Sequence, residues 1–467
     1  MHFFPKVIYG KHFKSLCNTS ELYTIRNEVF NLYNLYIDEK GPQNTFKKSV
    51  EFSMQEKISL GSDKMHSFVA NALLLPKENL QVLEKAFIEL EQDYIAKRPQ
   101  LNGKELKGHM ILNKTNFKFG IASLNERDIS FYNDFFSILE ENDASNLFFS
   151  INKMAIIVNG RIGDWLLELN SKKFISNPAI LLYSLTKHLD IEAPVDLIDK
   201  LLDKSISTKN LLNAIRNDLQ VIVDKNKNNS RMAAQISTYK DLIKIIKKYN
   251  YIENRPTNTT SFDWSKFTYA LDLWISELEF HGENKKENIN IFLDEGIKKE
   301  HLEILNFNNL KEDVNSKESV GLRMTDHLVV LLGNYMSKLK ADSFHNHEKP
   351  DQIKRISNEW FELNNAQFQL IKRVCHFLLE NDKKYGFIND TYFDESVHLE
   401  SYMNYINSYK SYESYLSNKS YHLEKQFEKY AEISQLKWNE SFLVTPIINE
   451  QYGSYKEAIN SGDMRPL

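Results

Sequence analysis

Cysteine is nearly absent: Cys17 and Cys375 are the only two in 467 residues. They lie far apart and form no Cys-x-x-Cys pair, so neither a disulfide framework nor a thiolate zinc site fits, and a reducing compartment does. Glycine and proline are scarce as well, at 15 and 10, which leaves few tight turns and predicts much helix. No stretch approaches the roughly 18 apolar residues that a membrane span needs. The opening "MHFFPKVIYGKHFK" has no apolar run of signal-peptide length either. The expectation is a soluble cytoplasmic protein with no membrane partner. An excess of positive charge is also missing: 59 Lys and Arg stand against 63 Asp and Glu, a net charge of −4. Any polyanion must then be met by a local patch.

What is present is ordinary for a globular chain, with 42% apolar and 26% charged residues. The length exceeds what one core usually supports. "NLYNLYI" (31–37) and "MHSFVANALLLP" (65–76) read as strands, the second stopped by Pro76. Leu80, Leu83, Phe87, Leu90 and Tyr94 then recur at three and four, one buried helix face. After the loop "RPQLNGKELKGH" come a helical stretch near Ile129 to Leu139 and a strand-like run, "LFFSINKMAIIVNG" (147–160). A polar helical stretch follows, and "INIFLDEG" resumes the sheet. "ESVGLRMTDHLVVLLGNYMSKL" is apolar nearly all round and predicts a buried helix. The reading is an α/β fold with core parts at 1–177 and 283–340, a helical insertion at 178–282 and a helical C-terminal region at 341–467.

Four acids sit at the end of an apolar segment or inside one: Asp38, Glu105, Asp294 and Asp326. Asp326 has Leu322, Val329 and Val330 as helical neighbours, so its carboxylate lies along an apolar face. A buried carboxylate must be protonated, paired or bound to a cation. Carboxylates gathered from strand ends and a helix suit Mg²⁺ or Mn²⁺, and two such ions can activate a water for phosphodiester cleavage. Taken singly, each acid has an ordinary explanation. Asp-Glu at a strand end is commonly a turn, Glu105 fits a surface loop, and Asp326 has Arg323 nearby to pair with.

The string "YIDEKG" (36–41) resembles the Tyr-x-Asp-Glu-Ser-Gly opening of an RNase H-like, bacterial and phage-associated domain-of-unknown-function family. Three further stretches follow in that family's order. "FVANALLLPKENLQVLEKAF" looks like its second strand and next helix, and "KELKGH" like its Glu-x-Lys segment. "SKESVGLRMTDHLV" is similar to its late Ser-x-x-x-x-Gly-Leu-Gln-x-Ala-Asp helix. The resemblance covers roughly Leu32–Val158 and Asn288–Leu339. It implies an RNase H-like mixed sheet and a metal-dependent nuclease, often a defence effector. By it Asp38, Glu105, Asp294 and Asp326 are the catalytic and metal-binding acids, with Lys107 as a phosphate or carboxylate partner. Glu39 enters beside Asp38, and Glu295 as the alternative to Asp294. Lys40, Arg323 and Thr325 depart from the family's usual Ser, Gln and Ala.

Other signals are weaker. His345 and His347 in "FHNHEKPD" suit a solvated loop better than a metal site. His109, close to Glu105, is a candidate proton shuttle because imidazole titrates near neutrality. Lys240, Lys244, Lys247 and Lys248 form a basic helical stripe, ordinarily a solvated face, with a nucleic-acid backbone as the functional alternative. Tyr402, Tyr405, Tyr409, Tyr412 and Tyr415 share one stripe and predict packing rather than base stacking. The preferred expectation is a nuclease using Mg²⁺ or Mn²⁺ on nucleic acid. The alternative is a non-catalytic module that binds nucleic acid or, through its helical regions, a protein partner.

Overall fold

The structure is a computed structural model, and it describes residues 32–40, 46–53, 56–60, 66–113, 115–252, 264–280, 286–307, 309–343, 355–379, 384–390, 392–439 and 441–442. His345, His347 and Cys17 lie outside these residues; Cys375 is buried. The chain opens with strands β1 (Tyr33–Lys40), β2 (Phe46–Ser53), β3 (Glu56–Leu60) and β4 (Ser67–Pro76), followed by helices α1 (Leu80–Ala96), α2 (Gly108–Ile111) and α3 (Glu126–Glu141). Then come β5 (Ser145–Asn152) and six helices: α4 (Lys153–Ser171), α5 (Pro178–Ile191), α6 (Val195–Leu202), α7 (Thr208–Asn226), α8 (Ala233–Tyr249) and α9 (Ser265–Phe280). The chain returns to strand in β6 (Ile289–Asp294) and β7 (Asn309–Val314), and continues through α10 (Val320–Asp342) and α11 (Asn365–Leu379). β8 (Tyr385–Asn389), α12 (Asp394–Asn407), α13 (Tyr412–Leu416) and α14 (His422–Asn439) complete it.

Six of these strands form one mixed sheet in the order β7-β6-β1-β4-β5-β8, and β2 pairs only with β3. β4 is antiparallel to both of its neighbours, while β1 with β6, β6 with β7 and β5 with β8 are parallel. One strand therefore runs against five. All ten residues of β4 are buried, which is why it reads as a continuous apolar run rather than an alternating one.

The two faces of the sheet carry separate cores. Tyr36, Val69, Leu73, Leu75 and Phe148 pack with residues of α1, α3, α10, α11 and α12. Leu35, Ile37, Ala70, Ala72, Leu74, Leu147 and Phe149 pack with residues of α4 to α9. Helices α5 to α9, all within 178–282, thus form the second-face layer together with α4. No described helix is long and apolar enough to cross a membrane.

Two expectations need correction. The run 147–160 is strand only to Asn152, whose side chain accepts the Ala155 N–H and starts α4; Met154, Ile157, Val158, Ile162 and Trp165 then bury one helical face. The region after residue 340 is not wholly helical, since β8 closes the sheet beside β5. Gly386 permits that edge: a Cβ there would stand 3.0 Å from Leu147 and 3.1 Å from Trp274. The tyrosine stripe packs as expected, with Tyr402, Tyr405 and Tyr415 buried and the Tyr402, Tyr412 and Tyr415 hydroxyls donating to the Trp360, Leu363 and Phe361 carbonyls.

Helix α10 reaches the sheet through Gly321. A Cβ there would lie 2.4 Å from the ring of Tyr36, and that ring is already stacked on Phe292 with centroids 5.0 Å apart. Alanine is ordinarily favoured over glycine in a helix by about 1 kcal/mol, but at this contact the clash decides the sign. Gly321→Ala is expected to cost about 1–3 kcal/mol in urea unfolding; a neutral or stabilising result would show that the ring has room to move.

Candidate functional site

β1 and β6 lie parallel with Asn34 opposite Asn290 and Tyr36 opposite Phe292. These pairs share the face that carries α10. The Asn290 amide donates to Asn34 Oδ1 at 3.3 Å, and Tyr36 stacks on Phe292. The register runs on through Ile37 and Leu293, so Asp38 and Asp294 form the next pair at the carboxyl ends of both strands. Their carboxyl groups are in hydrogen-bond contact. Asp38 is buried and Asp294 half-buried.

Asp326 enters from above, on α10. The helix starts at Ser319, whose hydroxyl accepts the Leu322 N–H, and Gly321 sets its first turn against β1. Asp326 Oδ2 accepts the backbone N–H of Gly108 at 2.6 Å. Gly108 must itself be small, because a Cβ would lie 2.9 Å from Val330 and 3.3 Å from the Asp326 carbonyl oxygen. The glycines in "KELKGH" and "SVGLRMTD" therefore have packing reasons.

Lys107 joins these elements. Its ammonium stands 2.9 Å from Glu105 Oε1 and donates to Ser316 Oγ at 2.9 Å. Burial pulls the Lys107 pKa down, but Glu105, Asp326 and Asp294 more than offset this and raise it. Asp38 is pushed well above the usual carboxylate range, first by burial and then by repulsion from Asp326, Asp294 and Glu39, with Lys107 opposing. Burial also raises Asp294, against the Glu295 N–H and Lys107. It raises Asp326, against the Gly108 N–H, Lys107, His109 and Lys40. Lys107 thus acts on all three carboxyl groups in a largely dry place, with Lys40 and His109 adding to it at Asp326.

The predicted residues divide accordingly. Asp38, Asp294 and Asp326 come together, and Glu105 reaches them through Lys107. Glu39 alternates to the opposite face of β1, although its N–H donates to Asp38 Oδ1 at 2.7 Å. Glu295 is exposed while Asp294 holds the register position beside Asp38. His109 is exposed on α2, and its charge is felt at Asp326. Arg323 does not neutralise Asp326. Its Nε and Nη2 donate to Glu91 on α1 at 2.9–3.2 Å, and Nη1 donates to the Lys317 carbonyl at 3.1 Å. At three residues' spacing it leaves α10 on another bearing and finds a nearer carboxylate.

The basic stripe lies away from the acids. Ile236, Tyr239, Leu242 and Ile246 anchor α8 in the second-face core, so Lys240, Lys244, Lys247 and Lys248 are exposed on the layer opposite the acids. Lys244 pairs with Asp241 at 2.9 Å. The residues that sequence reasoning missed are polar partners of the lysines: Ser316 for Lys107 and Asn334, whose Oδ1 accepts from Lys40. Ser316 opens the "SKESVG" motif, but nothing in its spacing signals a lysine partner.

The donor chemistry fits a hard divalent cation, since the converging groups offer oxygen only and repel one another. Among the described residues no three His, Cys, Asp or Glu side chains stand close enough to hold one ion together, and Lys107 is the cation that the acids share. Comparison with protein-family models, curated proteins and solved structures gives no match for this chain.

Two outcomes follow from the electrostatics. Glu91 and Arg323 are both buried, so Arg323→Gln leaves an unpaired carboxylate and is expected to cost about 3–5 kcal/mol. Adding Glu91→Gln should recover much of that in urea unfolding, and no recovery would contradict the pairing. For Asp38, the raised pKa means that the folded state binds the proton more tightly than the unfolded chain. Wild-type stability then falls as pH rises above the ordinary value of 3.8 through the folded pKa. Asp38→Asn removes that slope, so its melting temperature should exceed that of wild type by a margin that grows with pH across this window; a constant margin would refute the shift.

Proposed function

We propose that this chain is a divalent-metal-dependent phosphodiester hydrolase, a nuclease built on an RNase H-like sheet. The observation that carries the reading is the matched pair Asp38 and Asp294 at the ends of adjacent parallel strands, with Asp326 descending from α10 and all three carboxyl groups raised by burial. Acids placed so have no structural use that a Leu or Asn would not serve at lower cost. The RNase H-like assignment draws support from a mixed sheet whose interior first strand delivers an acid from its carboxyl end.

In this reading Asp38, Asp294 and Asp326 would hold Mg²⁺ or Mn²⁺. A bound divalent ion supplies a more acidic water and neutralises charge on the phosphate and leaving oxygen. Burial raises both Asp38 and Asp294, so a cation beside them would favour their ionised forms. Asp326 is held in place by the Gly108 N–H, which fixes its direction. Lys107 stays tethered to Glu105 and Ser316 and is placed to meet a phosphate oxygen. Glu105 positions that ammonium. The family resemblance makes an anti-phage defence effector the biological setting.

A second reading is a non-catalytic binding module on the same sheet, favoured by Lys107 already compensating the acids. One experiment separates them: cleavage of single- and double-stranded DNA and RNA with Mg²⁺, Mn²⁺ or chelator, for wild type, Asp38→Asn and Asp326→Asn, each checked by its melting temperature. The nuclease reading expects metal-dependent cleavage that falls about 100-fold or more in both variants while they stay folded. Cleavage that ignores chelator, or survives in either variant, overturns the metal mechanism. Absence of cleavage by wild type on every substrate favours the binding module.

A further inference from the structure

Asn71 has no packing reason to be where it is. Of the other residues of β4 on its face, Val69, Leu73 and Leu75 are apolar and belong to the first-face core, and Ser67 donates to Glu395. Asn71 stands among them fully buried, at 0% exposure. Its amide nitrogen donates to Asn146 Oδ1 on β5 at 2.8 Å, but its Oδ1 has no hydrogen-bond partner. A buried carbonyl left unsatisfied costs about 1–3 kcal/mol, so a leucine would serve the core better.

The register says what lies beside that oxygen. Asn71 is directly opposite Asp38 in the antiparallel pair of β1 and β4, which puts both side chains on one face at about 4.5–5.5 Å between Cα atoms. The carboxamide nitrogen is engaged on the β5 flank of β4. On the other side of β4 lies β1, whose Asp38 is the residue directly across from Asn71. Asn146 Nδ2 is also unpartnered, but it sits beyond β4 and does not border the acids.

We infer that Asn71 is a further member of the cation site: its Oδ1 is an uncharged oxygen ligand beside Asp38. The inference rests on the metal-binding reading above and adds a residue to it. A carboxamide oxygen is a common ligand for hard divalent ions. It brings a fourth donor from a third strand without adding to the repulsion already present among Asp38, Asp294 and Asp326. That would explain why an oxygen is retained at a position where the fold alone favours hydrocarbon.

The test measures Mn²⁺ binding to the full chain by calorimetry and by loss of the free-ion electron paramagnetic resonance signal. Four proteins are compared: wild type, N71L, N71D and N146L, each checked by its melting temperature. N71L removes the oxygen and should weaken Mn²⁺ about tenfold or more. N71D keeps an oxygen in place and should bind at least as tightly as wild type. N146L breaks the same Asn–Asn hydrogen bond but leaves the Asn71 oxygen, and should bind as wild type does. If N71L does not fold, N71S takes its place, its hydroxyl being too short to reach the ion. Unchanged affinity in N71L overturns the inference, as does equal weakening in N146L, which would mark a packing effect, or in N71D, which would make the amide N–H the group that matters. Wild type that binds no Mn²⁺ takes down the metal reading and this inference together, whereas wild-type binding untouched by N71L takes down the inference alone.

Discussion

The seating of α10 on β1 is the contact on which the site depends. Tyr36 stacks on Phe292 and lies against Gly321, so its ring sets how closely the start of α10 approaches β1. With that distance fixed, the next residue on the same face of β1, Asp38, comes under the span of α10 that carries Asp326. Gly108 repeats the device one layer out, letting the start of α2 lie close enough to α10 for its N–H to reach the Asp326 carboxylate. Two glycine contacts and one parallel register bring together acids that are 288 residues apart in sequence, from position 38 to position 326.

Burial then determines how these acids behave. Each pays a desolvation penalty that a partner must offset, and the cations near them are few. Arg323 is committed to Glu91, and Lys40, bonded to Asn334, acts through space on Asp326. Lys107 is left to serve Glu105 directly and the three aspartates through space. An imbalance of this kind is a standing demand for positive charge, and it separates these groups from acids that merely decorate a strand end.

Much of this was legible in the sequence and some was not, for definable reasons. β1, β4, β6 and α10 announce themselves because burial on both sides, or nearly all round, writes long apolar runs. β7 does not: "NLKEDV" is an edge strand with most of its residues exposed, and charge there protects an edge from pairing rather than marking a strand. β8 is five residues with a glycine inside, too short for alternation to register. The acids were visible as charges in apolar context, yet the partner of Arg323 was not, since Glu91 lies 232 residues away. Asn71 sits within a run that reads as core, and only strand register reveals that it faces Asp38.

The far end of α10 supplies the contrast that gives the acid cluster its meaning. Lys340 is buried there between Asp190 of α5 and Glu395 of α12, at 3.3 and 3.7 Å. His66 pairs with Asp190 at 3.3 Å, Ser67 donates to Glu395, and Lys187 holds Asp394 at 2.9 Å. Three acids meet two ammonium groups and a histidine whose pKa is raised chiefly by Asp190 against the cost of its burial. The charges there are matched, and Asp394 is pulled down to about 2, with burial opposed chiefly by Lys187 and Lys340. That is how a structural network looks when it ties helices from the insertion and the C-terminal region to the core. At the Asp38 end of the same helix the carboxyl groups are raised instead of lowered. One helix therefore carries a compensated set of buried charges at one end and an uncompensated set at the other, and it is the uncompensated set that has free energy to gain from a cation.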